Sequence, residues 1–363
     1  MRTDHIIIIR FSAIGDVAMA VPVIYSLATQ YPKVRISVLS RPFARPFFAY
    51  MPKNVDFMEA DLKGEYVGIK GLNKLYGRLL AKQPTAIADF HNVLRTKFIR
   101  NRFKLHGYKV ATIDKHKAEK RKLCRKSNKV MEQQPTSFQN YADVLARLGY
   151  PIKIDFTTLF QNGENILSSL TSIGEKPNNE QWFGIAPFAA HEGKMYPKEK
   201  MEEVIQLLQD SKRPLRLFLF GGGKEEKEIL SQWAAKYPIC TCAFEKLNGL
   251  NEELILMSHL DLMLSMDSAN MHLASLVGTR VVSIWGATHP FCGFLGWKQS
   301  EKDVIQNENL TCRPCSVYGN KPCYRQDFAC MNSIEPQTIV HHLLEQTIPT
   351  NPLNTSETNE NKS

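Results

Sequence analysis

Short apolar runs alternate with amphipathic stretches along most of the chain. The run from His5 to Phe11 contains four consecutive isoleucines, and such β-branched content is typical of a buried strand. Further strands are predicted at residues 34–39, 86–90, 182–186, 215–220, 262–266 and 281–285. Helical patterns lie between them, at residues 141–148, 198–210, from 224 onward and after 266 through 276. Strands that alternate with helices predict an α/β protein with parallel sheets.

One helix boundary depends on a proline. The apolar residues between Asp16 and Gln30 have helical character, but Pro22 interrupts them. Because proline fits best in the first helical turn, we expect the helix proper to begin near Pro22. Gly149 follows the helix predicted at 141–148 and is a typical C-terminal signal.

A chain of 363 residues is too long for one ordinary hydrophobic core. The polar segment 161–181 divides the pattern, so we predict one Rossmann-like domain at residues 1–170 and a second at 180–348. Residues 350–363 are rich in Asn, Thr and Ser and are predicted to be disordered. Two such domains in tandem place a cleft between the carboxyl ends of two parallel sheets, where α/β proteins bind ligands.

The formal net charge is +10, and much of the excess lies between Arg100 and Lys129, where Asp114 and Glu119 are the only acids. This basic stretch is suited to nucleic acid, an anionic membrane surface or a phosphorylated substrate. The alternative is a solvated, mobile loop. The sequence has no apolar run of membrane-spanning length and no secretory signal pattern, so we expect a cytoplasmic protein.

The segment from Arg10 to Asp16 joins the first strand to the next helix. Asp16 would face the cleft, where a carboxylate could accept a proton from an attacking sugar hydroxyl. The alternative role is a plain helix N-cap, which local spacing alone favours. The Gly-x-Gly-x-x-Gly pattern of dinucleotide sites is absent.

A second motif, residues 267–272, follows a strand and opens a helix. Free backbone N–H groups and the helix dipole make such a position an anion site. Ser268 adds a hydroxyl, and His272 lies one turn further along, so the motif suits a nucleotide diphosphate. Otherwise Asp267 or Ser268 caps the helix and His272 packs against the sheet.

Two loops of the second half carry further candidates for a nucleotide-sugar donor. Lys194 can offer a positive charge to a leaving diphosphate, unless it is an ordinary surface lysine. Three glycines precede Glu225 and Glu226, either of which could accept ribose hydroxyls. Acidic residues in a first helical turn are also simply stabilising.

Residues 89–96 end a strand of the first half, on the acceptor side of the cleft. His91 and Arg95 are candidates for a phosphate or carboxylate of the acceptor, and Ser12 is assigned to the acceptor with them. A salt-bridged Arg95 is the alternative.

Four of the eight cysteines cluster late in the chain. A Cys-x-x-Cys pair followed by two more cysteines can close a tetrahedral zinc site, although the later spacing is not a common zinc-ribbon pattern. Simple thiols or a redox-sensitive pair are the alternatives. The four residues are Cys312, Cys315, Cys323 and Cys330.

Together, residues 10–16, 89–96 and 267–274, the last followed by 278–282 and 286–288, resemble glycosyltransferase family 9, the lipopolysaccharide heptosyltransferases. The order and spacing agree over residues 5–345. This resemblance implies a GT-B fold and an inverting, metal-independent transfer from ADP-heptose. Asp16 matches the proposed base and Lys194 a lysine that contacts the donor phosphates. The donor-binding residues that it implies are Glu225, Asp267, Ser268, Ala269 and His272.

Three alanines depart from the family pattern. Ala189 and Ala190 stand where hydroxyl residues are usual before Lys194, and Ala269 replaces a glycine of the phosphate loop. The changes in these two loops leave the identity of the nucleotide-sugar donor undecided. The alternatives are a GT-B transferase for another nucleotide sugar and a non-catalytic nucleotide- or polyanion-binding homologue.

The resemblance also implies the partners. We expect a phosphorylated glycolipid acceptor at the inner membrane, which the basic stretch would meet from the cytoplasmic side, with the enzyme peripheral to the inner leaflet. No cofactor is expected, and a structural zinc at the cysteines stays open as the alternative to simple thiols. We expect no nucleic acid, because no aromatic-rich RNA motif is present.

Overall fold

Two parallel β-sheets flanked by helices make up the molecule. The computed structural model describes residues 4–161 and 165–345. The first sheet contains β1 (His5–Ile9), β2 (Arg35–Ser40), β3 (Val55–Glu59), β4 (Ala86–Asp89) and β5 (Lys109–Thr112). The second contains β6 (Gln181–Ala186), β7 (Leu215–Leu219), β8 (Cys240–Cys242), β9 (Leu262–Met266), β10 (Val281–Trp285) and β11 (Val304–Gln306).

Twelve α-helices are assigned within the described residues. They are α1 (Ile14–Gln30), α2 (Gly68–Leu80), α3 (Leu94–Leu105), α4 (Lys117–Leu123), α5 (Ser137–Leu148), α6 (Lys198–Asp210), α7 (Lys224–Lys236), α8 (Ala243–Lys246), α9 (Leu250–Ser258), α10 (Ala269–Leu276), α11 (Ala329–Asn332) and α12 (Pro336–Glu345). Short 3₁₀ turns lie at 42–48, 167–169, 192–194, 290–292 and 301–303. None of the described helices is both long and apolar enough to cross a membrane.

The strand order of each sheet indicates where a ligand would bind. The first sheet runs β3-β2-β1-β4-β5 and the second β8-β7-β6-β9-β10-β11, with every pair parallel. Both follow the Rossmann order, which reverses direction beside the first strand of each sheet. Ligands bind at that reversal point, so the loops after β1 and β4, and after β6 and β9, are the ones to inspect.

The structure corrects one predicted boundary. Helix α1 runs without a break through Pro22 instead of beginning there. A proline inside a helix costs about 3 kcal/mol because it removes a hydrogen bond and crowds the preceding turn. Val17, Val21 and Ile24 are almost completely buried, and this packing outweighs the cost.

The four strands that the pattern missed are the edge strands of the two sheets. β5, β8 and β11 have only three or four residues, and β3 and β5 contain exposed side chains, so the apolar run that marks a strand is broken. Seven of the described helices were also not predicted: α2, α3, α4, α8, α9, α11 and α12. The inner strands predicted from the sequence are confirmed to within two residues. The two sheets use residues 5–112 and 181–306, while the domain bounds 1–170 and 180–348 stay predictions. The tail 350–363 lies outside the described residues.

The two halves meet along a helix pair and a backbone seam. Helix α1 of the first half packs against α10 of the second. The N–H of Ser137 donates to the carbonyl of Gly293 over 3.0 Å, and the N–H of Leu159 to that of Leu276 over 2.9 Å. These contacts bring the carboxyl ends of both sheets to one cleft.

Candidate active site

The motif after β1 and the motif after β9 touch at Gly15 and His272. A Cβ atom added to Gly15 would lie 2.6 Å from Cδ2 of His272, closer than real Cβ contacts come. Glycine is therefore required at this position for the helix pair to approach. Asp16, the next residue, stands beside the phosphate-binding candidates of the other half as a result.

Asp16 is held by Arg10 from its own motif. The two side chains form an ion pair of 2.5 Å between Nη2 and Oδ2, and the N–H of Ala13 donates to the same carboxylate over 3.0 Å. Burial opposes ionisation, but Arg10 and the Ala13 N–H outweigh it and hold the pKa of Asp16 below its usual value. The carboxylate is thus ionised at neutral pH.

The capping role weighed for Asp16 is present in a different form. Ala13 is the N-cap residue of α1, and Asp16 occupies the third helical position, from which it accepts the Ala13 N–H. A third of the Asp16 side chain remains exposed, so capping leaves the carboxylate accessible from the cleft.

A cavity of about 240 Å³ opens in front of Asp16. Residues of both halves line it, including Ser12 and His91 from the first and Phe294 and Tyr318 from the second. The N–H of Phe11 donates to Nδ1 of His91 over 3.4 Å. Burial, and then the charge of Arg10, lowers the pKa of His91 to about 3, so this ring faces the cavity as a neutral donor.

Arg95 is placed apart from these residues. It is exposed at the start of α3 and is not among the residues that line the cavity. The buried Asp89 pairs instead with Arg100, at 2.6 Å, and accepts the N–H groups of His91 and Asn92. Asp89 therefore holds the shape of the loop after β4.

On the other side of Asp16, Lys194 and Asp267 form an ion pair of 3.0 Å. The hydroxyl of Thr288 donates to the same carboxylate over 2.8 Å. Asp267 is almost fully buried, so Lys194 is positioned by this pair instead of moving freely at the surface. The structure thus brings the loop after β6 and the loop after β9 together.

The first turn of α10 carries the remaining phosphate-binding candidates. Ser268 is the N-cap, but its side chain makes no capping hydrogen bond, and Ala269 follows it. Burial, partly opposed by Asp267 and Asp16, lowers the pKa of His272 to about 4. Nδ1 of this buried ring has no hydrogen-bond partner among the described residues. A neutral imidazole and an uncapped helix N-terminus suit an anionic ligand.

A second cavity, of about 480 Å³, lies beyond Lys194. Phe188, Tyr196 and Phe328 give it an aromatic lining, and Glu225 and Glu226 of α7 reach it. Glu226 accepts the N–H of Gly222 over 2.7 Å, whereas Glu225 is exposed and has no such bond. Glu225 is therefore the carboxylate that remains available to ribose hydroxyls.

Comparison with known proteins decides the family. Residues 76–323 match the model of glycosyltransferase family 9 (heptosyltransferase). The chain belongs to glycosyltransferase family 9. It is accordingly a glycosyltransferase, as the three motifs predict.

Relatives along the whole chain agree with this assignment. The chain is 21% identical over 342 residues to lipooligosaccharide heptosyltransferase 2 of Campylobacter jejuni serotype O:6, covering 93% of this chain and 97% of the relative. The serotype O:2 protein of the same name is 22% identical over 336 residues, covering 90% and 93%.

Solved structures confirm the GT-B fold. The Escherichia coli ADP-heptose LPS heptosyltransferase II superimposes with a TM-score of 0.67 at 19% identity, over 93% of this chain and 97% of that one. A family 9 glycosyltransferase of Veillonella parvula gives 0.69 at 17% identity, over 94% and 97%. The E. coli heptosyltransferase WaaC with ADP gives 0.63 at 15% identity, over 93% and 99%.

The late cysteines of this family 9 chain surround one point. Cys312, Cys315, Cys323 and Cys330 line a cavity of about 10 Å³, close to the smallest space that holds a water molecule. All four are free thiols. Among the described residues no three His, Cys, Asp or Glu side chains form a group arranged to hold a metal ion. A structural zinc at these cysteines stays an open alternative to simple thiols.

Arg313, between the first two of these cysteines, was not singled out by the sequence. It is 4% exposed, and its guanidinium donates to the carbonyls of Gly286 (2.8 Å) and Thr288 (3.0 Å) among others. It therefore anchors the loop that carries Thr288, the partner of Asp267. The one sequence signal was an arginine within a Cys-x-x-Cys pair.

Part of the basic stretch is docked on the second half and is not a solvated loop. Nζ of Lys129 donates to the carbonyl of Pro314 over 2.8 Å, and Lys126 lies over the Tyr324 ring. Lys120 is 5% exposed and lies over the Phe294 ring. The solvated-loop alternative is therefore wrong for the buried Lys120, whereas Lys126 is exposed.

Proposed function

We propose that this chain transfers a heptose from ADP-heptose to a sugar of the lipopolysaccharide inner core, with inversion and without a metal. The observation that carries the proposal is the placement of Asp16. Its ionised carboxylate lies at the Gly15–His272 contact, between the cavity on the acceptor side and the Lys194–Asp267 pair on the donor side.

Asp16 acts as the general base. It removes the proton of an acceptor hydroxyl as that oxygen attacks the anomeric carbon, while the nucleotide diphosphate leaves from the opposite face. A single carboxylate on the acceptor side suits a mechanism with one displacement step, which inverts the anomeric configuration. Its lowered pKa keeps it deprotonated before the reaction, at the cost of some basicity.

The donor side stabilises the departing diphosphate. The ammonium of Lys194, the free N–H groups of the α10 first turn and the imidazole of His272 converge there. Preorganised donors of this kind supply much of the stabilisation that enzymes give to developing charge. Because Asp267 is buried and already accepts from Lys194 and Thr288, its own charge is largely neutralised.

The cavity that Glu225 reaches takes the nucleoside. Phe188 and Phe328 offer faces for a base, and Glu225 accepts ribose hydroxyls. The identity of the nucleotide rests on relatives, since the titles of two E. coli structures name ADP and ADP-2-deoxy-2-fluoro heptose. Ala189 lines this cavity, where a backbone donor replaces the usual hydroxyl, and Ala269 opens α10 in place of the usual glycine.

The acceptor is proposed to be a phosphorylated glycolipid at the inner membrane. The C. jejuni relatives are named lipooligosaccharide heptosyltransferases, which points to this class of acceptor. Exposed basic residues lie on and after α4, which also contributes Lys120 to the cavity in front of Asp16. Each basic residue near an anionic lipid surface contributes about 1 kcal/mol, so the chain would dock peripherally from the cytoplasmic side.

Calorimetric titration with ADP, GDP, UDP and TDP in EDTA tests the donor assignment. Selective binding of ADP without metal is expected, followed by transfer from ADP-heptose to a lipid A-linked core acceptor. Tighter binding of another nucleotide would point to a transferase for a different nucleotide sugar. Binding of none would favour a non-catalytic homologue.

A further inference from the structure

The cavity in front of Asp16 contains two lysines that form no ion pair with any residue that the structure describes. We propose that Lys115 and Lys120 form a subsite for an anionic group, a phosphate or a carboxylate, carried by the acceptor beside the attacking hydroxyl. This inference rests on the proposed function, because it takes the cavity to be the acceptor site. It adds two specificity-determining residues that the motifs do not contain.

Of the two lysines, Lys120 gives the stronger evidence for an anion site. Its side chain comes from α4, is 5% exposed and has no ion pair or hydrogen bond within the part of the chain that the structure describes. Nζ lies 4.4 Å from the centroid of the Phe294 ring. A lysine is almost never buried to this extent without a partner. Burial lowers its pKa, which an anion in the cavity would reverse.

Lys115 lines the same cavity from the loop before α4. It is half-buried and likewise has no ion pair among the described residues. Its neighbour Asp114 does not neutralise it, since that carboxylate is exposed and accepts the N–H of His116 over 2.9 Å. Burial, and then the charge of Arg10, lowers the pKa of Lys115. Two cations in one confined space favour an anion between them.

The charges around the cavity are unbalanced. Of the described residues that line it, Asp16 is the one carboxylate, and Arg10 already pairs with it at 2.5 Å. His91 is neutral. The two lysines therefore remain as surplus positive charge a short distance from the base. Because Phe294 belongs to the second half and Lys120 to the first, the contact of Lys120 with this ring joins the two halves beside the cavity.

Titration of inorganic phosphate, followed by ³¹P NMR, tests the subsite without turnover. Saturating ADP is added first, so that the donor phosphate site is occupied. The variants are Lys115→Met and Lys120→Met, and Lys117→Met, an exposed lysine on the same helix, is the matched control. We expect each of the first two to weaken phosphate binding at least tenfold, and the control to change it less than twofold.

A conservative variant separates recognition from packing. Lys120→Arg keeps the charge and should retain phosphate binding within about threefold of the wild-type chain. Lys120→Met removes a buried unpaired charge and should leave the melting temperature unchanged or higher. A structural lysine would instead give a lower melting temperature with unaltered phosphate binding, and that result would overturn the proposal.

The same titration with acetate distinguishes the two anions. Displacement by acetate at lower concentration than phosphate identifies a carboxylate site, and the reverse order a phosphate site. Absence of binding of both anions to the wild-type chain overturns the subsite. If the anions bind through the lysines but ADP-heptose is not used, the transferase proposal fails and the subsite stands.

Discussion

Gly15 and His272 stand in direct contact across the two halves of the molecule. A methyl group on Gly15 would come within 2.6 Å of Cδ2 of His272, and both residues lie in the helix pair that joins the halves. This contact places the Asp16 carboxylate next to the N-terminal end of α10. In the proposed mechanism, the distance between Asp16 and the leaving diphosphate is therefore set by the packing of two helices.

Gly15→Ala should damage the site without unfolding the chain. The added methyl must push His272 and α10 away, and overpacking of this kind costs about 1–3 kcal/mol. We expect turnover to fall by about two orders of magnitude, because small misplacements of reacting groups have effects of that size. Gly77→Ala is the control, since its Cβ meets nothing within 4 Å and alanine favours a helix. Equal turnover in both variants would contradict the packing argument.

Asp16→Asn should abolish transfer while donor binding survives. The amide keeps the size of the side chain but cannot accept the proton of the acceptor hydroxyl. We expect the turnover number to fall at least about a thousandfold, within the range that a positioned base supplies. The dissociation constant for ADP should change less than about threefold. Asp56→Asn, which breaks an exposed ion pair with Arg35, serves as the control. Retained turnover would remove Asp16 from the role of base.

His272 should make the stability of the protein depend on pH. Its pKa is about 4 in the folded chain and about 6.5 when unfolded, so the unfolded chain binds more protons between these values. The contribution of neutral His272 to the free energy of unfolding is complete above pH 6.5 and is lost as the pH falls toward 4. By pH 4.5 the loss in free energy of unfolding is about 2–3 kcal/mol.

Chemical denaturation at pH 7.5 and pH 4.5 measures this contribution. The drop between the two pH values should be smaller by that amount in His272→Gln than in the wild-type chain. His341→Gln, at an exposed position on α12, should leave the drop unchanged. A drop of the same size in all three chains would show that His272 is not buried as a neutral ring.

Arg313→Met should destabilise the second half. Its guanidinium is buried and donates to four backbone carbonyls and one side-chain oxygen, so removing it leaves several buried acceptors without partners. We expect the free energy of unfolding to fall by at least about 3 kcal/mol, together with weaker ADP binding through the Thr288 loop. Arg325→Met, on the exposed surface of the same segment, should have little effect on denaturant unfolding.

Metal analysis tests the zinc prediction at the late cysteines. A structural zinc would appear as about one zinc per chain, lost in Cys315→Ser but not in Cys240→Ala. The cysteine segment also supplies Tyr318 to the cavity in front of Asp16 and Phe328 to the cavity that Glu225 lines. Loss of zinc should therefore weaken ADP binding. A zinc-free wild-type chain with unchanged melting temperature in EDTA would rule the metal out.

The inner part of each sheet could be predicted from the sequence because burial on both faces demands continuous apolar runs. The four isoleucines of β1 and the runs of β9 and β10 carry that signal without help from distant residues. The edge strands β5 and β11 do not, since half-exposed strands share their composition with loops. Pro22 shows the limit of local rules. These rules predict a helix that begins at the proline, but the buried packing of α1 keeps the helix continuous through it.

The sequence by itself determined the family, the two-sheet architecture and the motifs, since local patterns and loop residues encode them. Tertiary structure alone decided which candidates share a site. It joined Arg10 to Asp16 and Lys194 to Asp267, left Arg95 at the surface, and buried Lys120 with no ion pair among the described residues. Pairing and burial depend on residues far apart in the chain, so no local pattern could reveal them.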